Sequence, residues 1–129
     1  MTAPVDIVIV DDDQLFLEFL GQALASDYRI HAFACAHEAL RYLTNNDATL
    51  LVTDLRMPGL NGFMLINEAR RLRPSLKILL ISGYLDPSCE TDQDIVSRYT
   101  ANFLAKPFKL PEIRGTIASM LADAIGVGP

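Results

Sequence analysis

Six residues that could do chemistry stand where apolar runs stop. Asp11, Asp12 and Asp13 follow Ile7-Val8-Ile9-Val10, and Asp54 follows Thr49-Leu50-Leu51-Val52-Thr53. Ser82 follows Leu76-Lys77-Ile78-Leu79-Leu80-Ile81, and Lys106 follows Asn102-Phe103-Leu104-Ala105. Several carboxylates held close repel one another, and a divalent cation relieves that repulsion. An all-oxygen donor set favours a hard ion, Mg²⁺ or Mn²⁺, over zinc. A carboxylate can also attack phosphorus and form an aspartyl-phosphate. The transferring phosphoryl group carries negative charge that a metal ion, a lysine and a hydroxyl donor can stabilise.

That chemistry requires elements that bring the six residues together. Ile7 to Val10 are β-branched on both faces, the pattern of a strand buried on both sides of a parallel sheet. Leu15, Phe16, Phe19, Leu20, Ala23 and Leu24 recur at helical spacing, predicting a helix over 14–25 with Asp13 as its N-cap. Residues 28–34 alternate as a more exposed strand, and 36–43 read as a helix ended by Thr44-Asn45-Asn46-Asp47. Strands are predicted at 49–53, 76–81 and 102–105, and helices at 62–72 and 111–124. Residues 86–100 are polar and resist assignment. Alternating strands and helices, five of each, predict an α/β fold with a parallel sheet. In such sheets the site lies beyond the carboxyl ends of the strands, where all six residues fall.

Four segments carry a family resemblance. They are Val10-Asp11-Asp12-Asp13, the run from Asp54 through Leu55-Arg56-Met57-Pro58-Gly59-Leu60-Asn61 to Gly62, Ile81-Ser82-Gly83-Tyr84, and Lys106-Pro107-Phe108. In this order, each at a strand end, they resemble the receiver domain of bacterial two-component response regulators. The resemblance extends over essentially the whole chain. It implies a flavodoxin-like, three-layer, doubly wound sheet of five parallel strands in the order 2-1-3-4-5, with five helices.

The resemblance also implies roles. Asp54 is the expected phosphoacceptor. Asp12 is expected to bind Mg²⁺ directly, with Asp11 helping through water, Asp54 contributing, and the backbone carbonyl of Arg56 completing the protein ligands. Lys106 is expected to pair with the acceptor and then with the phosphoryl group, to which Ser82 donates its hydroxyl. Phe103 occupies the place of the family's switch aromatic, whose rotation accompanies movement of Ser82. Gly83 leaves the phosphoryl group accessible, and Arg56 and Tyr84 sit where the family varies its dephosphorylation rate. The Lys106-Pro107 peptide is expected to be cis. The phosphodonor is a histidine kinase or a histidine phosphotransfer protein, and the output is a change in the surface of the fourth helix, fifth strand and fifth helix. An effector domain or output protein reads that surface, on which the family also forms homodimers.

The chain departs from the pattern in one stretch. Ser82 and Lys106 are 24 positions apart, two more than the family usually has, and Thr100-Ala101-Asn102 replaces its Gly-Ala. The fourth helix is therefore expected to be shorter, shifted or mobile. Phe103 also reads as an ordinary core aromatic. Met57-Pro58-Gly59 and Gly62 read as loop geometry. His31 and His37 fall away from the acidic set and are expected on the surface, neither phosphorylated nor metal-binding.

Composition narrows the function further. The chain has 129 residues, half of them hydrophobic, which suits one globular domain. The expected division is a receiver domain over 1–125 and a flexible tail over 126–129. A net charge of −5 argues against direct nucleic-acid binding by this domain. Cys35 and Cys89 match no zinc or redox spacing and are expected as free thiols. The first residues lack a secretion signal, and no apolar run approaches the ~20 residues of a membrane span, so a cytoplasmic protein without membrane contact is expected.

Three functions compete. The first is a phosphorylation-controlled switch that catalyses only its own phosphorylation and dephosphorylation. The second is a degenerate interaction module that works without phosphorylation; the complete set Asp11, Asp12, Asp54, Ser82 and Lys106 argues against it. The third is a phosphatase with an aspartate nucleophile on its first strand. Asp11-x-Asp13 fits it superficially, but Gln14-Leu15 is atypical and no room remains for a cap.

Overall fold

Ile7, Val8, Ile9 and Val10 are all fully buried, which requires apolar cover on both sides of their strand. The computed structural model describes residues 5–54, 62–82 and 102–124, leaving aside the side chains of 62, 63, 82, 123 and 124. The elements run β1 (Asp6–Val10), α1 (Gln14–Leu24), β2 (Arg29–Phe33), α2 (Ala36–Asn45), β3 (Leu50–Asp54), α3 (Gly62–Leu72), β4 (Lys77–Ser82), β5 (Asn102–Ala105) and α4 (Leu110–Ala124). All strand pairs are parallel, in the order β2-β1-β3-β4-β5. This is the parallel sheet that the alternation predicted, in the doubly wound order that the family resemblance implied. The final helix is numbered α4 because the expected fourth helix falls within 83–101, outside the described residues.

The two-residue repeat of the strands sorts the core into two layers. Val8, Val10, Leu51, Ile78 and Leu80 pack with Ala36, Ala39 and Leu43 of α2 and with Leu65, Ile66 and Ala69 of α3. Ile7, Ile9, Leu50, Val52, Leu79 and Ile81 pack with Leu17, Leu20 and Leu24 of α1 and with Ile113, Ile117, Met120 and Leu121 of α4. Each fully buried Leu or Ile stabilises the fold by roughly 1.5–3 kcal/mol relative to an exposed one. The edge strands β2 and β5 are less buried, as the alternation at 28–34 anticipated for the first.

Helix ends follow local chemistry. The Asp13 carboxylate accepts from the N–H groups of Leu15 (3.1 Å) and Phe16 (3.2 Å), capping α1 as expected. Helix α2 runs to Asn45, two residues beyond the predicted 43. There the polar side chains extend the helix instead of ending it. Thr44 Oγ1 donates to the Leu40 carbonyl (2.9 Å), and Asn45 Nδ2 to the Arg41 carbonyl (3.3 Å). Arg73 Nε then covers the carbonyls of Leu43 (3.1 Å) and Asn46 (3.2 Å). At α4 the Lys109 N–H donates to Glu112 Oε1 (3.0 Å), a reciprocal cap, so the helix starts one residue before the predicted Pro111.

Candidate functional site

Parallel register brings the carboxyl ends of the strands to one edge. Val10 lies opposite Thr53, Asp54 opposite Ile81, and Ser82 opposite Ala105. Asp11 leaves β1 with its N–H donating to the Phe33 carbonyl (3.2 Å) and its side chain 1% exposed. Its Oδ1 accepts from the Asp13 N–H (2.9 Å). Asp54 ends β3, half-buried, on the side of the sheet that carries Leu50 and Val52. The fully buried Thr53 hydroxyl turns back to the Asp54 carbonyl (2.9 Å).

Lys106 closes the arrangement. Its Nζ lies 2.8 Å from Asp11 Oδ2 and 3.1 Å from Asp54 Oδ2. It also lies 4.5 Å from the centroid of the Phe16 ring. Burial disfavours the ammonium, but the hydrogen bonds and charges of Asp11 and Asp54 outweigh it, and the lysine pKa rises above its ordinary value. The following Lys106-Pro107 peptide is cis, as expected. Phe108 meets Phe16 edge-on, with centroids 5.9 Å apart.

Carboxylate oxygens of Asp11, Asp12 and Asp54 lie within 4.8 Å of one another. Asp12 is exposed, so this group opens to solvent on one side. Three converging carboxylates form a hard, all-oxygen donor set that suits a divalent cation such as Mg²⁺. Asp13 stands apart, occupied by the cap of α1. Phe103 is half-buried against the α2/α3 side of the core, opposite Leu80 in register. Backbone register puts Ser82 on the same edge of the sheet. Its side chain, and all of Arg56, Met57, Pro58, Gly59, Gly83, Tyr84, Cys89, the polar stretch 86–100 and the tail 126–129, lie outside the described residues.

Two arrangements were not expected. Asp11 holds Lys106 directly, a task added to its expected water-mediated one. His31 is not a plain surface residue: its Nε2 lies 2.9 Å from Asp6 Oδ1, and its ring stacks on Tyr42 at 4.6 Å. Arg29 joins the same carboxylate (2.9 Å). Burial alone would raise the Asp6 pKa, but the bonds from His31 and Arg29 lower it below its ordinary value. His37 is exposed, as expected, and Cys35 is a free thiol that lies exposed.

Residues 7–118 match the family described as the response regulator receiver domain. The chain belongs to that family. This receiver domain is 32% identical over 119 residues to the response regulator receiver protein CpdR of Brucella abortus, covering 92% of this chain and 98% of that protein. It is 31% identical over 109 residues to the C4-dicarboxylate transport transcriptional regulatory protein DctD of Rhizobium meliloti, covering 84% of this chain but only 23% of that protein. The crystal structure of a CheY-like receiver domain protein from Methanospirillum hungatei superposes with a TM-score of 0.89 at 26% identity, covering 98% of this chain and all of that one. Receiver domains are signalling modules of two-component response regulators rather than enzymes acting on other substrates. Among the described residues no helix is long and apolar enough to cross a membrane.

Proposed function

We propose that this receiver domain is a phosphorylation-operated switch whose acceptor is Asp54. The reading is carried by the convergence of Asp11, Asp12 and Asp54 within 4.8 Å, with Lys106 bridging two of them. A single half-buried carboxylate beside a fixed ammonium is a nucleophile with its counter-charge in place. Asp11, Asp12, Asp54 and the Arg56 carbonyl would hold Mg²⁺, or Mn²⁺ in its place. The bound ion supplies positive charge against the phosphoryl oxygens.

The donor is a phosphohistidine of a histidine kinase or phosphotransfer protein. An Asp54 oxygen attacks phosphorus, the phosphorus–nitrogen bond breaks, and its electron pair leaves on the imidazole, which takes a proton from solvent. The phosphoryl group stays on Asp54 as an acyl phosphate. Lys106 keeps Asp11 and shifts its other bond from Asp54 to a phosphoryl oxygen. The Ser82 hydroxyl donates to another such oxygen, and Phe103 follows it. Hydrolysis of the acyl phosphate by water resets the switch. The receiver unit spans 1–125. Its output surface combines the segment before β5, β5 itself and α4. An effector, or a second copy in a homodimer, would read it in the cytoplasm, with no direct contact to nucleic acid or membrane.

The test is intact mass after incubation with Mg²⁺ and acetyl phosphate. The wild type gains one phosphoryl group, and Asp54→Asn gains none. An unmodified wild type, with no Mg²⁺-dependent amide shifts near Asp12, overturns the switch and favours a module that binds partners without phosphorylation.

A further inference from the structure

Lys106 has more than its two carboxylates. The ammonium sits 4.5 Å from the Phe16 ring centroid, within the ~6 Å over which a cation is attracted to an aromatic face. Phe16 lies on the first turn of α1, where its backbone N–H donates to the Asp13 cap, so its main chain is tied to the loop that carries Asp11 and Asp12. Phe108, two residues after Lys106, braces the same ring edge-on at 5.9 Å. Both rings are half-buried against the α1/α4 side of the core. An aliphatic side chain at 16 could also be buried against that apolar core. It would not offer a negative π face to an ammonium whose side chain is only 25% exposed.

We infer that Phe16 is a positioning residue for phosphorylation. Its ring is the third partner of Lys106 and holds the ammonium on its course from Asp54 to the phosphoryl oxygens. The inference rests on the reading of Asp54 as acceptor. The physical reason lies in direction. The bonds to Asp11 Oδ2 (2.8 Å) and Asp54 Oδ2 (3.1 Å) are directional, and the second must break as the phosphoryl group arrives. Attraction to a ring face varies slowly with lateral displacement, so it persists while the ammonium moves. It also keeps water from one side of the cation, which leaves the cation's charge less screened at the reacting oxygens. Phe108 contributes by keeping the ring from tilting away.

Acetyl phosphate and Mg²⁺ supply the assay, read as the rate of phosphoryl mass gain. The full chain carries Phe16→Leu, Phe16→Tyr, or mono-, di- and trifluorinated phenylalanine at position 16. Phe16→Leu is expected to slow phosphorylation roughly 3- to 10-fold, the range of a partly desolvated cation–π contact, while Phe16→Tyr keeps the wild-type rate. The fluorinated series keeps the packing but drains the π face, and its rates should fall stepwise. An independent signature is the ring-current shift of the Lys106 ε-methylene protons, present in wild type and Phe16→Tyr and lost in Phe16→Leu. Equal rates across the fluorinated series overturn the inference while leaving Asp54 as acceptor. So does a Lys106 resonance that ignores Phe16→Leu. A wild type that gains no phosphoryl group overturns the reading of Asp54, and this one with it.

Discussion

Replacing Lys106 by methionine isolates what the ammonium does for the resting fold. The change keeps the aliphatic stem and removes the charge. Asp11 then loses the cation 2.8 Å away while remaining 1% exposed, and the Asp13 N–H at 2.9 Å is left as its donor. Breaking a fully buried ion pair from one side costs ~3–5 kcal/mol, because the surviving charge stays buried without compensation. Here water reaches part of the way, since Lys106 is 25% exposed and Asp54 15%. The expected loss is therefore about 2–3 kcal/mol. For a domain of this size ~1 kcal/mol moves the melting temperature by about 4 °C, so Lys106→Met should melt roughly 8–12 °C below wild type.

The cause can be separated from general damage. If the cost lies in the stranded Asp11 charge, Asp11→Asn should recover much of it, because the amide oxygen can still accept from the Asp13 N–H. The double variant Lys106→Met/Asp11→Asn is thus expected to be more stable than Lys106→Met, with a coupling above ~1 kcal/mol in the cycle. Urea titrations followed by circular dichroism give all four corners. A Lys106→Met protein melting within about 2 °C of wild type refutes the reasoning, and so does a double variant less stable than the single.

Two further perturbations test other contacts. Asp6→Asn should cost about 1 kcal/mol at neutral pH through the lost charge-assisted bonds to His31 and Arg29, less than a buried bond because Arg29 is largely exposed. A carboxyl lowered in the fold stabilises above its unfolded pKa and loses that contribution as pH falls through the folded one. The gap between wild type and Asp6→Asn in urea midpoint should therefore be full above 3.8 and shrink in more acid solution; a gap independent of pH counts against the contact. Asp13→Ala removes the acceptor of the Leu15 and Phe16 N–H groups and should lower the unfolding free energy by about 1 kcal/mol, read as a lower urea midpoint with an unchanged slope.

Most of the fold could be read in advance because the strands are buried on both faces. Ile7-Val8-Ile9-Val10 has no polar face, so it can only be a central strand between two apolar layers, and helical stripes of the right length follow. The misjudged boundary at α2 has a different cause. Thr44, Asn45 and Asn46 end helices when they bond forward, but here they bond back to carbonyls four residues earlier, and Arg73 covers the end from 30 residues away in the chain, measured to Leu43. Local composition holds no signal for a cap delivered by tertiary structure. The pairing of His31 with Asp6 was hidden for the same reason, since 25 positions separate two residues that parallel register sets on adjacent strands.

The acidic set was legible because its members end strands, and parallel register turns that position into proximity. What the sequence left unread was that Asp11, besides its expected place in the acidic set, holds Lys106. Asp11 and Asp12 are adjacent and chemically identical, yet one is buried and bound to Lys106 while the other is exposed. Chain direction decides this: Asp11 still follows the strand's alternation, on the side of Ile7 and Ile9, and Asp12 is the first residue turned out of it. The same alternation places Asp54 after Leu50 and Val52, and Lys106 after Leu104, on that one side. Phe16 reaches this side from α1, whose buried stripe faces it. A half-buried aromatic beside Leu17 and Leu20 looks like ordinary core in any sequence; only the position of Lys106 distinguishes it.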